Sequence, residues 1–160
     1  MAFLMAGFFN PPIPKTLGEK LYQAPPFEVQ SINGKTINLQ QQKGKVIFLN
    51  FWAVWCPPCL AELPSVNDLY LKIKDNPNIV FISVDVDNKL DRSVLMAKNR
   101  GYSFPVYGGN TDALPAQFFS GTIPTTLVIN KQGFVVFDHI NRANYNDDKF
   151  FNYITDLAKQ

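Results

Sequence analysis

Cysteine and histidine are scarce in this chain of 160 residues, with 2 of the first and 1 of the second. Two cysteines exclude a scaffold stapled by several disulfides and a four-cysteine zinc site. A single histidine excludes a histidine-rich metal centre within one chain. Charge is sparse too: 18% of residues are charged, and Lys+Arg 15 against Asp+Glu 13 leaves a net charge of +2. No basic stripe runs along the sequence, so a polyanion surface has nothing to build on and no nucleic-acid partner is expected. No apolar run reaches the ~20 residues that cross a bilayer. What is plentiful is apolar side chain: 46% hydrophobic and 14% aromatic residues suffice for the core of one ordinary domain. Any chemistry must therefore use very few residues.

Residues 1–9 are almost wholly apolar, yet no Lys or Arg precedes them and no small-x-small cleavage site follows. They read as the remnant of a signal or membrane anchor, as a start-site feature, or as a segment that packs on the domain. Residues 10–26 carry Pro11, Pro12, Pro14, Pro25 and Pro26. Proline fixes φ and removes donors, so this stretch reads as an extended leader or tether, not as a helix or central strand. The expected organisation is a leader over 1–26 and a folded domain over 27–160.

Within the domain, Phe27, Val29, Ile32, Ile37 and Leu39 flank Asn33-Gly34, a pair that tolerates positive φ at both centres of a two-residue hairpin turn. Residues 45–52 form a nearly continuous apolar run, as in a strand covered on both faces. Leu60, Leu63, Val66, Tyr70 and Ile73 then recur at helical spacing, with Pro64 expected to kink the helix. Residues 78–85 read as a second buried strand. Asn88 is the expected cap of a helix carrying Leu90, Val94 and Ala97 inward and stopping at Gly101. A short strand at 104–107 and a brief helix at 112–119 follow. Residues 125–130 and 134–140 form a hairpin about Lys131-Gln132-Gly133. The last helix turns Phe150, Phe151, Ile154, Leu157 and Ala158 inward, with Asp147 and Asp148 near its positive end. Strands alternating with helices and ending in a hairpin predict an α/β fold with a mixed sheet.

The sharpest local feature is Trp55-Cys56-Pro57-Pro58-Cys59, where a buried strand hands over to a helix. Cysteines three apart at a helix start are neighbours on one face and can close a disulfide. Cys56 would sit at the helix N-terminus, where unpaired N–H groups and the macrodipole favour a thiolate and lower its pKa. Pro57 suits the first turn, where a missing N–H costs nothing. Cys59 lies one turn further in, shielded, as a resolving thiol. Other readings stand beside this one. A structural disulfide gains little from so small a ring. A zinc half-site needs two more ligands, with His139 the one good extra candidate, and inert buried thiols do not need this position.

Asn50-Phe-Trp-Ala-Val-Trp-Cys-Pro-Pro-Cys59 followed by Leu-Ala-Glu-Leu-Pro64, together with Thr122-Ile-Pro-Thr-Thr126 at the head of a strand, resembles the thioredoxin superfamily. Within it the chain is most similar to the TlpA/ResA-type extracytoplasmic thiol-disulfide oxidoreductases, from about residue 27 to the C-terminus. The resemblance implies a thioredoxin fold with an N-terminal β-hairpin and a central strand-helix insertion around 85–107. It implies that Pro124 is a cis-proline facing the cysteines; the alternative is a trans proline opening a strand. Ile123 then offers backbone groups for strand addition by a substrate, and Trp55 and Pro57 complete the docking surface. Plain thioredoxins carry a buried aspartate where this chain has Asn50, and asparagine moves no protons. Glu62, one turn beyond Cys59, is the candidate for assisting Cys59 deprotonation, against the reading of an ordinary exposed helix glutamate.

The activity so implied is thiol-disulfide exchange through Cys56 and Cys59, with Glu62 assisting, in the direction of disulfide reduction. Apocytochrome c, or other extracytoplasmic proteins with unwanted disulfides, are the expected substrates. No flavin, nicotinamide or metal motif is visible, so no cofactor is expected, and a membrane-linked or thioredoxin-like electron donor must restore the dithiol. A monomer outside the cytoplasmic membrane, with the leader as a tether, completes the expectation. The alternatives are a dithiol oxidase or isomerase and a non-catalytic thioredoxin-like binding module. A peroxidase is disfavoured because Ala53 stands where a threonine is expected three residues before the peroxidatic cysteine. Trp52 reads as core, His139 as an edge or surface histidine, and Asp85 and Asp87 lack a third oxygen ligand for a metal.

Overall fold

The computed structural model describes residues 9–109 and 114–160. Its centre is β4 (Val46–Trp52), whose seven residues are all buried. Alternation along this strand sorts its side chains onto two faces. On one face Phe48 stacks with Phe81 and meets Tyr145 and Phe150 edge-on. On the other, Phe51 packs against Phe27 and Phe119. A strand covered on both sides has no need of polar alternation, which is why its sequence reads as one apolar run.

Among the described residues eight strands, the first (β1) at Tyr22–Gln23, form one mixed sheet in the order β1-β8-β7-β4-β5-β6-β2-β3. β4 runs parallel to β5 (Ile79–Asp85), and β5 parallel to β6 (Val106–Gly108). β7 (Thr125–Ile129) lies antiparallel to β4, and β8 (Phe134–Ile140) antiparallel to β7. The hairpin β2 (Glu28–Ser31) and β3 (Thr36–Asn38) joins the far edge through β6. Among the described residues the α-helices are α1 (Pro57–Ile73), α2 (Leu90–Asn99) and α3 (Asp148–Lys159). α2 and β6 are the central strand-helix piece. α1 continues through Pro64, an exposed position, although proline offers no N–H to the carbonyl four residues back.

Several local expectations are corrected. The hairpin loop has three residues, not two: Ser31 N–H bonds to Lys35 O, Gly34 N–H to Ser31 O, and only Gly34 has positive φ. A type I turn closed by a left-handed glycine needs one such residue, so Asn33 keeps ordinary φ. Asn88 does not cap α2; it is itself left-handed at φ 53°, and Lys89 occupies the cap position. No side chain caps α2; the carboxylate of buried Asp85 instead ties the turn before the helix, accepting from Asp87 N–H at 2.9 Å and Lys89 N–H at 3.0 Å. Gly101 does stop α2, with Gly101 N–H to Lys98 O and Tyr102 N–H to Ala97 O, the paired bonds of a Schellman end. Of the helix expected over 112–119, residues 112 and 113 lie outside the described residues; from 114 on the chain makes a turn, with Phe118 and Phe119 N–H both reaching Pro115 O. The short strand is Val106–Gly108, later than expected, and buried Phe104 precedes it. In α3, Tyr153 is buried and Phe151 only partly so.

The proline-rich stretch holds no helix, turns at 15–18 with Gly18 at positive φ, and meets the sheet edge at 21–24. Tyr22–Gln23 form β1, paired with β8, and the Tyr22 hydroxyl donates to Gln117 O at 2.9 Å. Further back, Phe9 O accepts from Asn144 N–H at 3.0 Å. Residues 1–8 lie outside the described residues. Among the described residues, no helix is long and apolar enough to cross a membrane.

Candidate active site at the start of helix α1

β4 ends at Trp52, and the chain turns through Ala53 to Trp55 before α1 begins. Cys56 is the N-cap of that helix, in extended conformation, with Pro57 and Pro58 in the first turn. Its Sγ accepts from Cys59 N–H at 3.3 Å, one of the helix's otherwise unpaired donors. Cys56 and Cys59 are joined in a disulfide, with Cα atoms 5.2 Å apart. Cys56 is 3% exposed and Cys59 fully buried, so Cys56 is the sulfur nearer the surface.

The Ile123-Pro124 bond is cis, and the Ile123 carbonyl oxygen lies 3.9 Å from Cys56 Sγ. The turn ahead of β7 is held by Thr125 Oγ1, which donates to Thr122 O at 2.7 Å. Ile123 is half-buried and Pro124 buried, while Pro57 and Pro58 are exposed. Trp55 is 65% exposed, its indole N–H fixed by Asp87 Oδ2 at 2.6 Å. An apolar ring thus stands in solvent beside the disulfide. A groove of about 720 Å³ opens along Pro57 and Pro58, walled by Phe9, Pro12, His139 and Arg142.

Glu62 is not an exposed helix glutamate. It is 1% exposed and turned inward. Oε1 accepts from Asn50 Nδ2 at 2.9 Å and Oε2 from Ala143 N–H at 2.9 Å. Burial raises its pKa from an ordinary 4.5 to about 8, against the lowering effect of those two hydrogen bonds. Asn50 Nδ2 also donates to Thr126 Oγ1 at 2.8 Å, which ties the acid to the strand that follows Pro124. Ser65 Oγ donates to Glu62 O at 2.8 Å and accepts from Tyr145 N–H at 3.0 Å, so the loop after β8 is stitched to α1. Desolvation first, and the nearby Glu62 charge second, hold the buried Tyr145 hydroxyl well above the usual tyrosine range.

The fold therefore brings Trp55, Cys56, Pro57, Cys59, Glu62, Ile123 and Pro124 to one end of β4 and β7. Trp52 is core, with its indole N–H on Ser83 Oγ at 2.7 Å. His139 is half-buried on the groove wall, and burial lowers its pKa. Among the described residues no group of three or more His, Cys, Asp or Glu is placed to hold a metal. Thr126, Ala143 and Tyr145 escaped the sequence reading. Thr126 stands inside the quoted Ile-Pro-Thr-Thr run and was legible as a neighbour. Ala143 contributes only a backbone N–H, which every non-proline residue has.

A dithiol–disulfide pair at a helix N-terminus, opposite a cis-proline on an adjacent strand, defines the class: a thioredoxin-fold thiol-disulfide oxidoreductase. The thiol:disulfide interchange protein of Chlorobium tepidum shares this fold, at TM-score 0.71 and 24% identity over 88% of this chain and 98% of that one. The exposed lipoprotein thioredoxin of Streptococcus pneumoniae superposes at TM-score 0.65, with 26% identity, over 84% of this chain and 98% of that one. The AhpC/TSA family profile matches residues 21–138, and the chain belongs to that family. It is also 37% identical to the thiol-disulfide oxidoreductase ResA of Bacillus thuringiensis over 134 residues, 83% of this chain and 75% of that one. Its substrates accordingly contain disulfides.

Proposed function

We propose that the chain works as a reductant of disulfides in extracytoplasmic proteins, with apocytochrome c as one candidate substrate. In the dithiol form the Cys56 thiolate attacks a substrate disulfide, one substrate sulfur leaves as thiolate, and a mixed disulfide joins Cys56 to the other. Glu62 takes the proton from Cys59, whose thiolate then attacks Cys56 Sγ. Reduced substrate departs and Cys56–Cys59 is restored. Two electrons have passed to the substrate, and a membrane-linked or thioredoxin-like donor returns them.

The observation that carries this reading is the Cys59 N–H held on Cys56 Sγ at the helix cap, with buried Glu62 one turn away on the same helix. Trp55, Pro57, Ile123 and Pro124 form the docking surface, Ile123 through its backbone groups. Pro57-Pro58 place no charge between the cysteines, which favours a reducing pair. The expected potential lies nearer about −270 mV than the oxidising extreme near about −120 mV. The apolar first residues, the proline stretch and the likeness to an exposed lipoprotein thioredoxin support an extracytoplasmic, tethered protein.

The test is trapping. Cys59→Ser should accumulate mixed disulfides through Cys56, Cys56→Ser none, and the native chain should reduce insulin with dithiol-dependent turnover. Two variants that behave alike, or a chain without turnover, would leave a binding module instead. Titration against glutathione fixes direction: a potential above the disulfide-isomerase region near about −180 mV reverses it to oxidase or isomerase.

A further inference from the structure

A buried polar atom at the centre of the site stands without a partner. Asn50 Nδ2 donates twice, to Glu62 Oε1 at 2.9 Å and Thr126 Oγ1 at 2.8 Å, while Asn50 Oδ1 is buried with no hydrogen bond. Because the amide nitrogen is the donor in both bonds, Glu62 must present a lone pair at Oε1. Its Oε2 already accepts from Ala143 N–H. The arrangement suits a carboxylate.

A protonated Glu62 is a different partner. Its O–H needs an acceptor, and leaving a buried hydroxyl unbonded is costly. Asn50 Oδ1 is an unused acceptor on the side chain that already faces Oε1. An amide exchanges its two ends by a turn of about 180° at χ2, a torsion with two-fold character.

We propose that Asn50 is a positioning residue that follows the charge of Glu62 by turning its side-chain amide end for end. With Glu62 ionised, Nδ2 faces Oε1 and Thr126 Oγ1. With Glu62 protonated, Oδ1 accepts from the Glu62 carboxyl and from the Thr126 hydroxyl. Thr126 serves both states because a hydroxyl both donates and accepts. Each arrangement makes two hydrogen bonds and leaves one amide end unpaired, so the proton comes and goes with little change in bonding. The amide carries no proton itself; the proton leaving Cys59 ends on Glu62. An aspartate at position 50 would repel ionised Glu62, and a leucine would serve neither form.

The titratable groups around Glu62 are Cys59 on its own helix and Tyr145 from the loop after β8; β4 and β7 present Asn50 and Thr126, which do not titrate. Cys59 is silent while bonded to Cys56. The inference rests on Glu62 gaining and losing a proton during the cycle. Its test uses the disulfide form, where no cysteine reacts, so it fails separately from the proposed role of Glu62 in exchange.

The oxidised full chain, labelled with 13C and 15N, is titrated from about pH 5 to pH 10 by NMR, following Glu62 Cδ, Asn50 Nδ2 and the contacts of the Asn50 amide protons with Thr126. The expected result is one shared midpoint for Glu62 and Asn50. The contacts should be present above that midpoint and lost below it, and Glu62→Gln should make the Asn50 signal independent of pH. In Asn50→Asp, a second carboxylate sharing the site should raise the Glu62 midpoint by about one unit, a tenfold fall in its ionised fraction at pH 7. An Asn50 amide that holds its shifts and contacts while Glu62 titrates overturns the proposal. So does an Asn50 response that survives in Glu62→Gln.

Discussion

Cys56 and Cys59 announce themselves by spacing, but Glu62 acquires its chemistry only by being enclosed. On a solvated helix face it would be an ordinary carboxylate. Sealed under Asn50, Ala143 and Tyr145, it is pushed up to about 8, close to the ~8.5 of a free thiol. A matched acid and base exchange a proton with little driving force lost in either direction. In the proposed mechanism Glu62 accepts the proton from Cys59 as the disulfide forms and returns it as the disulfide is reduced. Glu62→Gln should therefore slow release of substrate from the mixed disulfide by about 10²-fold and flatten the pH dependence of that step, while initial attack by Cys56 changes less. Stopped-flow tryptophan fluorescence at a series of pH values reads both steps. An unchanged profile would remove Glu62 from the mechanism.

Elements begin and end where short-range chemistry says they should, provided the right partner is chosen. Asp147 caps α3, its carboxylate accepting from Phe150 N–H at 3.0 Å. Asp147→Ala should cost about 1 kcal/mol in urea unfolding, with little effect on exchange, because the cap lies outside the redox pair's contacts. A loss below a few tenths would mean that packing of Phe150 and Ile154 alone holds the helix start. At α2 the sequence offers Asn88 as a cap, yet Asp85 at the end of β5 reaches the turn amides first. Asn88 then adopts the left-handed conformation that asparagine tolerates. Pattern alone does not tell a helix cap from a residue of the turn before it; which one Asn88 becomes depends on where β5 stops and on Asp85 holding the turn amides.

For the whole molecule, the buried acid links function to stability. Unfolded Glu62 titrates near 4.5 and the folded group at about 8. Between those values the native state holds a proton that the unfolded chain has lost. This group's contribution therefore falls as pH rises through that window, by at most about 1.4 kcal/mol per unit, and is level on either side. Unfolding of the oxidised protein from pH 5 to pH 8 should lose stability more steeply than Glu62→Gln, which keeps the contributions of other shifted groups such as Asp138 and His139. Equal slopes would mean the acid titrates alike in both states.

From the sequence alone came the α/β class, the two-faced burial of β4, the redox motif and the antiparallel pair β7–β8. All are local: strand runs, helical spacing, turn residues and a cysteine pair closed within one helical turn. The likeness in Ile-Pro-Thr-Thr supplied the cis-proline. Only tertiary structure decided that Glu62 is buried, that Asn50 and Thr126 bind around it, and that the proline stretch meets the sheet edge at β8. Those depend on contacts between residues 12 to 116 positions apart, such as Asn50–Glu62, Asn50–Thr126, Ala143–Glu62 and Tyr22–Asp138. Solvent exclusion by distant elements sets a group's proton affinity, and no window of neighbouring residues contains those elements.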